Sequence, residues 1–382
     1  MTRFAQTLPD PIIAAKAVPP LPPAGLRSLA VGVIGPGRVG GCLLQQLQAA
    51  RPRLWQEAGL DLQLPAVVGR QRMWLDCDDP ALNHRQDAAQ IWRPADLEEF
   101  AGYLQSRRAD AAVLVDCSAS DLVVARYPAW LKAGIHIVTP NKLAVSGPLP
   151  RWLEIRRACD SGARLRYEAT VCAGLPVIQT LRSMLDTGDQ LRAVQGMFSG
   201  TLAWLCNRHD GTRPFSERLR EARDLGYTEP DPRDDLSGID VARKLVILAR
   251  EAGHPLSLED VRVESLVPAE LAALSCEAFL DRLEALDAPM DRALARARAS
   301  GGVLRHVASF DPQEGARVSL QVLPTSHPFA HTRLTDNIVQ FTTARYGENP
   351  LVVQGPGAGP EVTAAGVFGD LLHIAHGLPA HA

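Results

Sequence analysis

The stretch Val31–Gly41, VGVIGPGRVGG, constrains the fold more than any other part of the chain. It sets Gly35, Gly37 and Gly40 in the spacing GxGxxG between a strand-like run, Leu29–Ile34, and an amphipathic segment beginning at Arg38. In that setting Gly35 permits a tight turn, Gly37 lets backbone approach a pyrophosphate, and Gly40 lets the helix pack against the strand. The amides of Arg38 and Val39 then face the phosphates from the helix start. A purely structural glycine turn has the same spacing, so the surroundings must decide. Further β-branched runs end at Val67–Val68 and occupy Ala111–Val115 and Ile135–Val138, alternating with amphipathic segments such as Arg38–Ala50 and Asp121–Lys132. That alternation predicts α/β architecture with βαβ units on a parallel sheet. Asp121 is placed to cap its helix and Gly134 to end it.

A Rossmann unit selective for NAD usually ends its second strand with Asp or Glu, which holds the ribose 2′-hydroxyl. Here the strand ends Val67-Val68-Gly69-Arg70. A guanidinium stands where the acid would be, so NADP is preferred over NAD, unless Arg70 is simply a surface arginine. Ser118, just past Ala111–Val115, is either a cofactor contact or an ordinary turn residue.

From about Tyr167 the texture changes. Helical patterns cover Arg213–Leu225 and Ser237–Ala252, while Gly302–Phe310, Ala316–Leu323 and Asn337–Arg345 alternate apolar and polar residues like half-buried strands of an antiparallel sheet. At 382 residues and 46% hydrophobic, the chain has material for two linked cores. Forty basic against 43 acidic side chains give a net charge of −3, which offers no footprint for nucleic acid or an anionic membrane and leaves a small molecule as the expected partner. Seven cysteines (Cys42, Cys77, Cys117, Cys159, Cys172, Cys206, Cys276) contain no CxxC pair and suit a reducing, cytoplasmic setting. The proline-rich Met1–Arg27 lacks the apolar core of a secretory signal and is expected to be a loose tail.

Chemistry concentrates in Gly226–Lys244, GYTEPDPRDDLSGIDVARK. Pro230 and Pro232 stiffen an acidic loop carrying Glu229, Asp231, Asp234 and Asp235, and Ser237 or Asp235 is placed to cap a helix bearing Asp240 and Lys244. Those two are four apart and share a face, whereas Val241, Leu245, Leu248 and Ala252 form the core face opposite. The polar face therefore looks into either solvent or an interdomain cleft. Lys142, after the strand Ile135–Val138, sits at the carboxyl edge of the sheet where ligands of open α/β folds bind, or else is a surface lysine in a turn.

This stretch resembles the signature of homoserine dehydrogenases. The likeness continues in VTPNK (Val138–Lys142), YEATVCAGLP (Tyr167–Pro176), FSGT (Phe198–Thr201) and GPGAGPEVTAAGV (Gly355–Val367), in order and across nearly all of Leu29–Leu378. The resemblance implies a Rossmann domain over 28–167, a substrate-binding and dimerisation domain with a mixed sheet over 168–345, and a C-terminal segment over 346–382 that returns to the cofactor side. It also implies a homodimer that reduces L-aspartate 4-semialdehyde to L-homoserine, toward threonine, methionine and isoleucine.

By the same resemblance Lys244 and Lys142 belong to the reacting centre, Glu229, Asp235, Asp240, Gly200 and Thr201 to the substrate, and Gly359, Ser118 and again Lys142 to the cofactor. Reduction by hydride creates an alkoxide that must gain a proton, which an ammonium can supply. Two neighbouring lysines are expected to lower each other's pKa, helping one act as base in the reverse direction. Glu168 with the carbonyls of Val171, Ala173 and Leu175 resembles the family's sodium site, with hard oxygen ligands for a hard cation. Cys172 departs from the family there, replacing a glycine, and a side chain at that point conflicts with positive φ. A thiol nucleophile at Cys172 is disfavoured, since its surroundings match a reversible alcohol dehydrogenase. Relatives often carry an aspartokinase or a small regulatory domain, and neither is expected here. Two readings stay open beside the main one: a dehydrogenase of the same plan acting on another amino-acid aldehyde, and a noncatalytic dinucleotide-binding regulator.

Overall fold

The apolar runs of the first half assemble as strands because each is flanked by a segment whose apolar stripe covers it. The structure, a computed structural model, describes residues 26–76 and 92–379. The tail expected over 1–27 falls outside them except for its last two residues, as does Cys77. Seven strands form the first sheet: β1 (Arg27–Ile34), β2 (Leu60–Val68), β3 (Arg72–Leu75), β4 (Arg93–Pro94), β5 (Ala111–Asp116), β6 (His136–Val138) and β7 (Leu165–Arg166), in the order β4-β3-β2-β1-β5-β6-β7. β2, β1, β5, β6 and β7 run parallel. β3 turns back antiparallel to β2, because Gly69–Gln71 is too short for a crossover and Gly69 N–H closes the turn on Arg72 O at 2.8 Å, and β4 pairs antiparallel with β3.

The helix Arg38–Ala58 runs longer than its sequence pattern suggests and lays Leu43, Leu47 and Leu54 on one face of this sheet. Val367, Leu371 and Ile374 of the C-terminal helix Pro360–His376 join the same cluster. The predicted single helix Asp121–Lys132 is instead two, Asp121–Val124 and Tyr127–Lys132. Pro128 has no N–H to continue the first helix, so the chain breaks and restarts. Gly134 follows at φ +85°, the left-handed stop the sequence suggested.

The second sheet holds β8 (Leu191–Met197), β9 (Val261–Val263), β10 (Gly302–Asp311), β11 (Gly315–Pro324), β12 (Asp336–Thr343) and β13 (Leu351–Pro356), in the order β13-β12-β8-β10-β11-β9. Its pairs are antiparallel except β9 with β11, so the sheet is mixed. β13 corrects the boundary drawn at 346: it pairs with β12 from Leu351 to Pro356, and the return to the first sheet begins at Pro360. One hydrophobic cluster runs from Ala30 and Leu114 through Val177 and Leu245 to Phe341, so the two sheets share a core. Among the described residues no helix is long and apolar enough to cross a membrane.

Candidate active site

Ends of parallel strands and starts of helices leave unsatisfied backbone groups, and here both converge on one cleft of about 1070 Å³. Arg38, Val39, Ser118, Lys142 and Gly359 line it from the first sheet and the C-terminal segment, and Gly200, Thr201, Glu229, Asp235, Asp240 and Lys244 line it from the second. The helix bearing Asp240 therefore presents its polar face to the cleft and not to bulk solvent.

On the nucleotide side Gly35 turns at φ +82°. A Cβ at Gly40 would overlap the Gly35 carbonyl oxygen, whereas one at Gly37 would meet nothing within 4 Å. The helix that starts at Arg38 has no side-chain cap and no acid in its first turn, so its leading amides are available to an anion. The residues present thus fit a dinucleotide. Gly359 adopts φ +121° at the N-cap of the C-terminal helix, again with nothing near a Cβ. Arg70 stands at the tip of the β2–β3 turn, exposed and outside the lining of the cleft, beside Gly69, whose Cβ would lie 4.0 Å from Pro36 of the glycine loop.

On the substrate side one carboxylate holds both lysines. Lys142 Nζ lies 3.1 Å from Asp240 Oδ1, and Lys244 Nζ lies 2.9 Å from Oδ2. Lys244 also donates to Phe198 O at 2.6 Å, and its side chain is only 12% exposed. This arrangement overturns the expectation that the lysines depress each other. Burial pulls the Lys244 ammonium down, but the Asp240 carboxylate outweighs it and holds the amine above its usual range. Burial likewise opposes ionisation of Asp240, yet Lys244 and Lys142 drive it well below the ordinary carboxylate range.

The helix start differs from both predicted caps. A separate turn, Pro232–Leu236, precedes it, and Gly238 at φ +73° occupies the N-cap of Ile239–Glu251. That glycine packs under Val263, Val318 and His306, and a Cβ there would lie 3.2 to 3.5 Å from them. Asp235 is thereby released to bind locally: Oδ2 accepts Glu229 N–H at 2.8 Å, and Oδ1 lies 2.9 Å from Thr201 Oγ1. Burial, with Glu229 and Asp240 nearby, pushes the Asp235 carboxyl up. Glu229 itself is exposed in the cleft, on the loop Asp235 fastens.

Sequence reasoning missed the network that sets Lys142. Asp116, fully buried at the end of β5, accepts from Ser118 N–H at 2.8 Å, Tyr127 O–H at 2.7 Å and Asn141 Nδ2 at 3.2 Å. Thr139 Oγ1 donates to Asp116 O at 2.7 Å, and Asn141 Oδ1 accepts Leu143 N–H at 3.1 Å. The backbone on both sides of Lys142 is thus tied to β5. An acid ending an otherwise apolar strand was the available signal. Arg223, which also lines the cleft, was missed as well; it lies just ahead of the acidic loop.

The predicted cation ligands fall on the short turn Glu168–Thr170 and the residues that follow it. Glu168 accepts Ile178 N–H at 2.8 Å and Gln179 N–H at 2.7 Å, and no side-chain cation lies within ion-pair distance of it among the described residues. Cys172 and Ala173 both take positive φ, +58° and +54°, so the chain adopts the glycine-like conformation despite the side chain. Leu175 O already accepts Val177 N–H at 2.8 Å. The set is carboxylate plus carbonyl oxygen, as a hard monovalent cation requires. The Cys172 thiol is buried and pushed up to about 11 by that burial, unlike an activated nucleophile.

Known proteins match nearly the whole chain. A family model described as homoserine dehydrogenase matches residues 176–372, and one described as homoserine dehydrogenase, NAD binding domain, matches residues 35–168. The homoserine dehydrogenase of Emericella nidulans is 40% identical over 371 residues, covering 90% of this chain and 97% of the fungal protein. The chloroplastic bifunctional aspartokinase/homoserine dehydrogenase 2 of Zea mays is 47% identical over 358 residues, 92% of this chain and 39% of that protein, so the chain spans about two fifths of such bifunctional relatives. A hyperthermophilic archaeal homoserine dehydrogenase in complex with NADPH shares the fold, with a TM-score of 0.68 at 20% identity over 93% of this chain and 100% of that one. With a glycine-loop α/β domain, a mixed-sheet partner domain and family matches to both, the chain belongs to the homoserine dehydrogenase family.

Proposed function

We propose that the cleft interconverts L-aspartate 4-semialdehyde and L-homoserine by direct hydride transfer, without a covalent intermediate. The observation that carries this reading is the pairing of Lys142 and Lys244 on the two oxygens of Asp240 at the wall facing the glycine loop. Gly35, Gly37, Arg38, Val39, Gly40, Ser118 and Gly359 would hold the nicotinamide cofactor, which would supply the hydride. The lysines do the rest: a high-pKa ammonium stabilises the developing alkoxide and delivers the proton that completes the alcohol. Asp240 keeps both ammoniums aimed at one point. Glu229, on a loop fastened by Asp235 and Thr201, receives the α-ammonium, and the amide of Gly200 with Arg223 receives the α-carboxylate.

Incubation of the purified protein with homoserine and NADP⁺ at alkaline pH tests the reading. NADPH should accumulate; no reduced cofactor with NADP⁺ or NAD⁺ means a regulator, and turnover only of another amino alcohol means a different substrate. NADP preference rests on Arg70, placed past β2 where an acid would reject the 2′-phosphate. Sodium at Glu168, Val171, Ala173 and Leu175 would offset a buried carboxylate that lacks a side-chain partner. Replacing sodium with choline should then lower the melting temperature. A homodimer through the second sheet is supported by exposed Val322 and Val352 on β11 and β13. Six free cysteines among the described residues support a reducing, cytoplasmic location.

A further inference from the structure

Away from the cleft, and sharing none of its lining residues, a second pocket of about 500 Å³ opens beyond the edge strand β7. Arg156, Arg164, Arg166 and Arg182 all line it. Two of them are anchored on aromatic rings: Arg156 lies 5.7 Å over Trp152 and Arg182 lies 4.7 Å over Tyr167. Arg164 reaches the carbonyl of Gly377 at 3.4 Å. Arg166 is half-buried, and among the described residues no carboxylate lies within ion-pair distance of it. The acids facing the group are few. Asp186 lines the pocket, Glu251 is held by Arg182 and the Tyr167 hydroxyl, and Glu168 and Asp370, which do not line it, act on Arg166 through their charge.

With Arg182 engaged by Glu251, three guanidiniums, Arg156, Arg164 and Arg166, remain around one concavity; they repel one another, and each presents paired N–H donors whose spacing matches two oxygens of a phosphate or carboxylate. Surface arginines usually avoid this by pairing with acids or spreading into solvent. Here the Trp152 ring fixes Arg156 and the fold buries part of Arg166. We propose that this pocket is a binding site for a small multivalent oxyanion, a phosphate ester or a polycarboxylate, separate from the cofactor's phosphate site. Arg166 at the base supplies an unpaired donor pair, and Arg156 and Arg164 close over the anion from the rim.

The test is calorimetric titration of the protein saturated with NADP⁺, so that the glycine-loop site is filled, using inorganic pyrophosphate and, separately, citrate at fixed ionic strength. Saturable binding of at least one is expected, and the stronger of the two identifies the oxyanion class. Arg166→Gln and Arg164→Gln should each weaken it by about tenfold, the loss of one charged donor pair. NADP⁺ affinity should be unchanged. Because Arg166 is half-buried, the rim variant Arg164→Gln keeps the test open if the other folds poorly. Absence of saturable heat with both anions, or equal affinity in wild type and Arg164→Gln, overturns the proposal.

Discussion

The two walls of the cleft handle charge by opposite means. The nucleotide wall uses backbone: Gly35, Gly37 and the uncapped start of Arg38–Ala58 offer amides from one continuous stretch. The substrate wall uses ionised side chains from distant segments: Lys142 follows β6, Asp240 and Lys244 ride one helix, and Glu229 sits on a loop. A backbone site depends on local φ and ψ, and so survives most side-chain changes. A side-chain site depends on how far each charged tip is from the next, and so fails when one partner goes.

If that contrast holds, the largest effect belongs to the substrate wall. Lys244→Ala should lower kcat roughly a thousandfold, the scale of a lost proton donor beside a developing charge. NADP⁺ binding, followed by fluorescence titration, should stay within about twofold, because no amide of the glycine loop is touched. A kcat near wild type removes Lys244 from the reacting centre. A matched loss of cofactor binding would mean that the walls are not independent.

The nucleotide wall answers to bulk, not charge. A Cβ at Gly37 meets no protein atom within 4 Å, so Gly37→Val should fold normally yet raise the cofactor KM about a hundredfold by occupying the space a pyrophosphate needs. Gly40→Val, by contrast, would collide with Gly35 O and should lower the melting temperature. Equal stability of the two variants, measured by thermal melting, would show that the glycines do not divide labour in this way.

The contrast also explains what could be read in advance. GxGxxG announces itself within eleven residues because turn, amide row and helix start are contiguous. The i, i+4 spacing of Asp240 and Lys244 was equally local, but it left open which way the face looked; only packing of Val241, Leu245 and Leu248 against the shared core turns it to the cleft. Lys142 joins through a contact nearly one hundred residues along the chain, and the family resemblance, not periodicity, suggested it. The sign of the Lys244 shift was misjudged for the same reason. Two cations were counted, but the carboxylate between them lies on a different element from one of them. Gly238 was overlooked as the helix start because Ser237 and Asp235 are the better cappers by composition.

A smaller effect tests how the side-chain wall is set. Asn141 ties the loop before Lys142 to Asp116 and Ser120, so Asn141→Ala should misplace the amine and lower kcat about tenfold. KM for NADP⁺ should barely change. Loss of the buried amide also leaves an Asp116 oxygen with one donor fewer, so a fall in stability of roughly 2 kcal/mol is expected alongside. If kcat holds while stability falls, Asn141 supports the fold and not the lysine.

The smallest effect is a displacement along the pH axis. Lys244 is a base whose folded-state value is raised above its ordinary 10.5, so its stabilising contribution is complete below 10.5 and disappears only as pH climbs through the higher folded value. With the ammonium as the proposed donor in the reduction direction, kcat should stay level through neutral pH and decline only at the alkaline end. Asp240→Asn removes the charge that holds the proton while leaving the burial that opposes it, so the alkaline limb should move to lower pH. At the acid end the Asp240 carboxylate, held well below its usual range by two ammoniums, stays ionised far below pH 3.8, and the pairing should persist wherever the protein remains folded. A limb that stays in place in Asp240→Asn would assign the titration to another group, and would detach the acid–base chemistry from the wall built around this carboxylate.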